Sequence, residues 1–193
     1  MNTLFPIYVK LDQIQTLLVG AGPVGLEKLQ AILQNSPQAK VQVVASEVSS
    51  EFRMAIAGNP NISLAERSFE PADMDAKDLI IMATNNPAFN QEVQQLAKAR
   101  NILLNIADKP DLCDFYLGSV VQKGNLKIGI STNGKSPTIA KRLKELLNDL
   151  LPEEIDETLN LMAHYRNSIK GDLKEKIKRL NSHTAQLVQG GSQ

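Results

Sequence analysis

Three glycines in the run Val19-Gly20-Ala21-Gly22-Pro23-Val24-Gly25 have the spacing that a dinucleotide pyrophosphate asks of a backbone. Gly20 makes the tight bend, Gly22 lets backbone approach the phosphates, and Gly25 lets the following helix pack on the strand before it. Pro23 and Val24 then open a helix whose N-terminus faces the anion. Eleven glycines in 193 residues can produce such a spacing by chance, so its context decides. About 20 residues further on, where an acidic ribose reader belongs, stand Ser46 and Glu47. Glu47 can accept from a ribose 2′-hydroxyl and would repel a 2′-phosphate. The competing reading is that Ser46 caps the next helix and Glu47 enriches its first turn.

Two further groups fall at the carboxyl ends of apolar runs, where ligands of open α/β sheets bind. Thr84, in Ala83-Thr84-Asn85, is a candidate nicotinamide or ribose contact. Asp108, in Ala107-Asp108-Lys109, is the candidate general acid or base, and partial burial there would suit it to proton transfer. A turn cap is the equal alternative for Asp108. Ser131, Thr132, Asn133, Gly134 and Lys135 combine hydroxyls, backbone N–H groups and an ammonium ahead of a helix, a candidate anion cradle, where a bare helix cap would need only Ser136. Lys141, Arg142 and Lys144 follow on that helix and read more simply as an exposed charged face.

The elements that must hold these residues are legible as alternating short apolar runs and helical patterns. Strands are expected at Thr16 to Val19, Val41 to Val44, Ile62 to Leu64, Asp78 to Ala83 and Ile102 to Ile106. Helices are expected from Pro23 to Gln34, from Glu47 to Ala57, and from Asn86-Pro87 to about Arg100. That alternation predicts an α/β fold, a Rossmann-type doubly wound parallel sheet over residues 1–113. After residue 113 the pattern changes. Phe115 to Gln122 and Leu126 to Thr132 read as a hairpin joined at Lys123-Gly124-Asn125, and Ser136-Pro137 start a helix that ends at Pro152. Residues 114–151 therefore form a small β-rich region with its helix. Residues 152–193 form a helical C-terminal domain, interrupted at Gly171 and fraying from Gln189 to Gln193.

Composition narrows the partners. Lys and Arg together number 21, as do Asp and Glu, so no global field favours nucleic acid or an anionic membrane. In the last 30 residues six cations face two carboxylates, which reads as a solvated helix face. The lone Cys113 excludes an internal disulfide framework and multi-cysteine metal sites, and is expected to be an inert buried thiol. His164 and His183 are too few and too far apart in sequence for a metal cage, so no metal site is expected. With no signal-peptide pattern at the N-terminus and no long apolar run, a cytoplasmic protein is expected.

Read in order, Leu4-Phe5-Pro6-Ile7, the glycine run, Ala83-Thr84-Asn85-Asn86, Asn105-Ile106-Ala107-Asp108 and Ile130-Ser131-Thr132-Asn133-Gly134-Lys135-Ser136-Pro137 resemble the precorrin-2 dehydrogenase and sirohydrochlorin ferrochelatase family, the N-terminal module of siroheme synthases. The resemblance spans nearly the whole chain. It implies NAD-dependent oxidation of precorrin-2 to sirohydrochlorin in siroheme biosynthesis, and in some members insertion of ferrous iron as a second substrate. It also implies a homodimer built on the region 114–151, and a role in both chemistries for the aspartate that matches Asp108. The polycarboxylated tetrapyrrole gives the Ser131 to Lys135 loop a substrate to bind.

Two departures accompany the resemblance. Thr132 stands where some relatives have a phosphorylated serine, and no methyltransferase domain follows residue 193, so a stand-alone module is expected. A non-catalytic dinucleotide sensor is the alternative of a different class, although it would need neither Asp108 nor the Ser131 to Pro137 loop. A short-chain alcohol dehydrogenase is disfavoured, because no Tyr-x-x-x-Lys follows Tyr8, Tyr116 or Tyr165.

Overall fold

A computed structural model of the chain describes residues 2–189. Five parallel strands form one sheet in the order β3-β2-β1-β4-β5. They are β1 (Gln15–Ala21), β2 (Lys40–Val48), β3 (Ile62–Glu66), β4 (Leu79–Met82) and β5 (Leu103–Ile106). Helices α1 (Pro23–Asn35), α2 (Ser50–Ile56) and α3 (Pro87–Arg100) alternate with them. Strand order therefore reverses between β1 and β4, which is the switch point of a doubly wound sheet.

Strand parity explains why these strands are almost wholly apolar. Leu17, Val19, Ile80 and Met82 share one buried cluster with Val93 and Ala97 of α3. Their neighbours Leu18, Leu79 and Ile81 share another with Leu29 and Ile32 of α1 and Phe52 of α2. Both faces of the sheet are thus covered, so alternate polar residues would have no solvent to meet. Each fully buried side chain of this size contributes about 1.5–3 kcal/mol relative to exposure.

Helix α2 begins three residues later than the sequence predicts. Pairing of β2 with β1 continues to Ala21 opposite Val48 after an irregularity beyond Val19, and this holds Ser46 and Glu47 in the strand. Ser49 caps α2 instead, its hydroxyl accepting from the Phe52 N–H at 3.2 Å, and Glu51 occupies the first turn. The alternative capping role for Ser46 and Glu47 is thereby removed.

The chain divides into two compact units, one holding residues up to Gly118 plus Ser131–Pro137, the other holding Ser119–Ile130 and the chain from Thr138 on. In the second unit, β6 (Ser119–Lys123) and β7 (Leu126–Ile130) pair antiparallel, a shorter hairpin than expected. Its two-residue loop is fixed by Asp156, whose Oδ1 accepts from the Asn125 N–H at 2.7 Å and from Asn125 Nδ2 at 2.9 Å. The backbone bond first, then the side-chain bond, holds the Asp156 carboxyl below its ordinary range. Buried Lys123 pairs with Glu153. Helices α4 (Pro137–Leu150), α5 (Ile155–Ser168) and α6 (Leu173–Gln189) complete the described chain, with the expected break at Gly171. Of the tail expected to fray from Gln189 to Gln193, Gln189 is the last residue of α6 and the rest lies outside the described residues. On α4, Ile139, Leu143, Leu146 and Leu150 form a stripe of exposed apolar side chains at helical spacing. No helix among the described residues is long and apolar enough to cross a membrane.

Candidate functional site

The three glycines of the first βα turn are required for different reasons. Gly20 has φ +106°, and a Cβ there would lie 2.5 Å from the Ala83 carbonyl oxygen of the neighbouring strand end. A Cβ on Gly25 would lie 2.1 Å from the Gly20 carbonyl oxygen. Gly22 is unlike both, since nothing of the protein comes within 4 Å of a Cβ built on it. It is the N-cap of α1, makes no side-chain cap, and precedes a first turn without acidic residues. A 13-residue helix thus starts with amides unserved by a side-chain cap, behind a position where only an incoming group would need the missing side chain. These residues fit a dinucleotide pyrophosphate.

Val24 of that helix also lines a cleft of about 330 Å3, together with Thr84, Asn90, Ala107, Asp108 and Lys109. The cleft lies at the carboxyl ends of β4 and β5, beside the switch point. Thr84 is held by Asn90, a buried residue of α3 whose role the sequence reading missed. Its only sequence signal is an asparagine four residues after the N-cap Asn86, on the face that carries Val93 and Ala97. On the other side of the glycine turn, Ser46 and Glu47 are exposed near the end of β2, where the Ser49 N–H reaches the Ala21 carbonyl at 3.3 Å.

Asp108 is exposed, contrary to the partial burial expected of a strand-end residue. The reason is its left-handed backbone, φ +58°, which carries the chain out just beyond β5. The segment that follows is tied back at two points. Asp114 Oδ2 accepts from the Leu104 N–H at 2.9 Å, and Cys113 Sγ accepts from the Ile106 N–H at 3.1 Å. The Cys113 thiol also lies 3.2 Å from the carbonyls of Ile106 and Lys109, so it closes the turn that carries Asp108. Cys113 is partly rather than fully buried, and that burial is the main cause that pushes its thiol up from the ordinary range.

The Ser131 to Lys135 loop forms a second cleft, of about 260 Å3, lined by Ser131, Thr132, Asn133, Lys135 and Asn2. Asn133 and Gly134 are both left-handed, φ +55° and +72°, and the Lys135 N–H reaches the Thr132 carbonyl at 3.1 Å. Thr132 Oγ1 accepts from the Ser136 N–H at 3.2 Å and donates to the Ser136 carbonyl at 3.1 Å. A Cβ on Gly134 would sit 4.0 Å from Pro110, two residues beyond Asp108. The glycine turn, Thr84 and Asp108 therefore converge, whereas the hydroxyl loop lines a cleft of its own. Among the described residues no group of three or more His, Cys, Asp or Glu is arranged to hold a metal ion.

Comparison with known proteins agrees with this geometry. Residues 7–119 match the family described as “Putative NAD(P)-binding”. The chain belongs to this NAD(P)-binding family. Residues 123–150 of this family member match a second model, described as “Sirohaem biosynthesis protein central”. The siroheme synthase of Vesicomyosocius okutanii subsp. Calyptogena okutanii is 36% identical over 171 residues, covering 88% of this chain and 36% of the relative. That of Baumannia cicadellinicola subsp. Homalodisca coagulata is 33% identical, covering 96% of this chain and 41% of the relative. The chain thus spans about two fifths or less of these relatives. SirC, precorrin-2 dehydrogenase, a solved structure, shares the fold, with a TM-score of 0.73 at 24% identity over 93% of this chain and 88% of that one. The Rossmann-type fold and the membership of a nicotinamide-dinucleotide-binding family agree with what the motifs predict.

Proposed function

We propose that this chain oxidises precorrin-2 to sirohydrochlorin with NAD. The observation that carries the reading is that the start of α1, at Val24, and the carboxylate of Asp108 line one cleft at the switch point of the sheet. The siroheme synthase relatives and the shared fold of a precorrin-2 dehydrogenase support the choice of substrate.

Gly22, Val24 and Gly25 would hold the pyrophosphate through backbone amides, with Pro23 fixing the first helical φ without adding a donor. Ser46 and Glu47, exposed at the end of β2, would accept from the ribose hydroxyls, and Thr84 would meet the nicotinamide end. The nicotinamide, when bound, supplies the hydride acceptor. Loss of a hydride from the reduced macrocycle leaves a proton to be removed, and Asp108 is the acceptor in the cleft for it. Its exposure leaves room for a substrate much larger than the cleft itself. Lys135, with the Ser131 hydroxyl, the Asn133 amide and the backbone of Gly134, would bind the substrate's carboxylates, while Thr132, whose hydroxyl proton goes to the Ser136 carbonyl, would shape the loop that presents these groups. The exposed α4 stripe supports pairing with a second copy, since contiguous apolar surface of this kind marks an interface. Ferrous iron enters only as a substrate of a following chelation, for which Asp108 would accept pyrrole protons.

The test is conversion of enzymatically generated precorrin-2 under anaerobic conditions, followed by the tetrapyrrole spectrum with and without NAD, and with ferrous ions added in a second run. NAD-dependent conversion is expected. Intact NAD binding without conversion would favour a dinucleotide sensor.

A further inference from the structure

Asn90 is 2% exposed, and its amide makes a two-pronged contact with a single residue. Nδ2 donates to the Thr84 carbonyl oxygen at 3.3 Å, while Oδ1 accepts from Thr84 Oγ1 at 2.7 Å. A backbone carbonyl can only accept, so the amide nitrogen must be the atom that faces it. The opposite amide orientation would set two acceptor oxygens against each other in a buried place. With Oδ1 then facing the hydroxyl, the single proton of Thr84 Oγ1 is engaged by Asn90. What Thr84 offers the cleft is oxygen lone pairs.

We infer that Asn90 is a positioning residue that makes Thr84 a one-way hydrogen-bond acceptor, selecting the carboxamide N–H2 donor at the nicotinamide end of the dinucleotide. The inference rests on the dinucleotide reading of the glycine turn. Thr84 lines the same cleft as Asp108, so a carboxamide anchored there would lie beside the group assigned to proton removal. The contact would set the orientation of the ring as well as its affinity. A site built around an acceptor rejects a ligand without the donor more strongly than it gains from one with it, because the acceptor is left unpaired.

The test is equilibrium binding, by calorimetry, of three dinucleotides to the full chain: NAD, the thionicotinamide analogue, which keeps the N–H2, and the 3-acetylpyridine analogue, which replaces it with a methyl group. The wild-type chain is expected to bind the first two alike and the third about tenfold more weakly. Thr84→Val should weaken NAD about tenfold and leave the acetylpyridine analogue unchanged, whereas Thr84→Ser should restore the preference. Asn90→Ala releases the hydroxyl proton, so the preference should shrink while NAD still binds. Thermal unfolding of each variant identifies any that fail to fold, and the two Thr84 variants carry the test without Asn90. Equal affinity of the wild-type chain for all three ligands, with all three weakened together by Thr84→Val, would assign the donor to a ribose hydroxyl and overturn the carboxamide assignment. Absence of binding by any dinucleotide would instead remove the reading of the glycine turn itself.

Discussion

The carbonyl oxygen of Gly20 fills the space that a Cβ on Gly25 would need, at 2.1 Å, whereas the corresponding space beside Gly22 is open. On the proposed reading the two positions separate folding from binding. Gly25→Ala should destabilise the chain by about 1–3 kcal/mol, as overpacking does. Gly22→Ala, at φ −83° and ψ −167°, places alanine in ordinary extended backbone with open space around its methyl group, so its cost should be limited to alanine's weaker N-cap preference, about 1 kcal/mol or less. NAD affinity should nevertheless fall about tenfold in Gly22→Ala, read by calorimetry, because the added methyl group meets only the ligand.

On the proposed reading Asp108 takes the proton, and Cys113 only closes the turn that carries it. Asp108→Asn keeps a side chain that tolerates φ +58° and removes the negative charge, so NAD should bind as before while turnover falls by roughly 10²–10⁴. Cys113→Ser retains a small group in the turn and should lower turnover far less than Asp108→Asn. Single-turnover rates beside NAD binding check both expectations.

Glu47 stands in β2, exposed, near the end that pairs with the glycine turn. Its charge should exclude a 2′-phosphate, so the wild-type chain should prefer NAD to NADP. Glu47→Arg should reverse that preference, with a change in the affinity ratio of roughly 10²-fold or more if both hydrogen bond and repulsion are lost. Competition binding with the two dinucleotides measures it.

Asp73 governs acid stability within the first unit. Its buried carboxylate accepts from Arg67 at 2.6 and 2.8 Å and from the Glu70 N–H at 2.8 Å. The Arg67 bonds are the largest cause that holds its carboxyl below the ordinary range. A carboxyl whose folded value lies below its unfolded value stabilises the fold above the unfolded value, about 3.9, and loses that contribution as pH falls toward the folded value. Asp73→Ala should cost about 1–3 kcal/mol at pH 7, chiefly because the Glu70 N–H loses its acceptor, while the exposed Arg67 returns to water. The variant should also lose less stability than wild type between about pH 4 and pH 2, as urea titrations at each pH will measure.

What the sequence disclosed depended on how local each cause was. The glycine turn, the Asn86 cap and the buried strands are written in neighbouring residues, and they lie where the motifs predict. The start of α2 was not legible, because strand pairing of Val48 with Ala21, rather than the Ser46-Glu47 capping signal, decides where β2 stops. Exposure of Asp108 depends on a left-handed residue and on a thiol five positions later. Asn90 escaped notice because its function lies in the carbonyl and hydroxyl of Thr84, which only the packing of α3 against the end of β4 brings within reach.

The most direct test of the central claim is an anaerobic stoichiometry. Precorrin-2 and NAD are mixed with the purified chain, and NADH and sirohydrochlorin are quantified in the same sample over time. One NADH per sirohydrochlorin, formed by the wild-type chain and abolished in Asp108→Asn with NAD binding intact, is the predicted result. Conversion at the spontaneous rate without NADH, in a chain that binds NAD, would contradict the account.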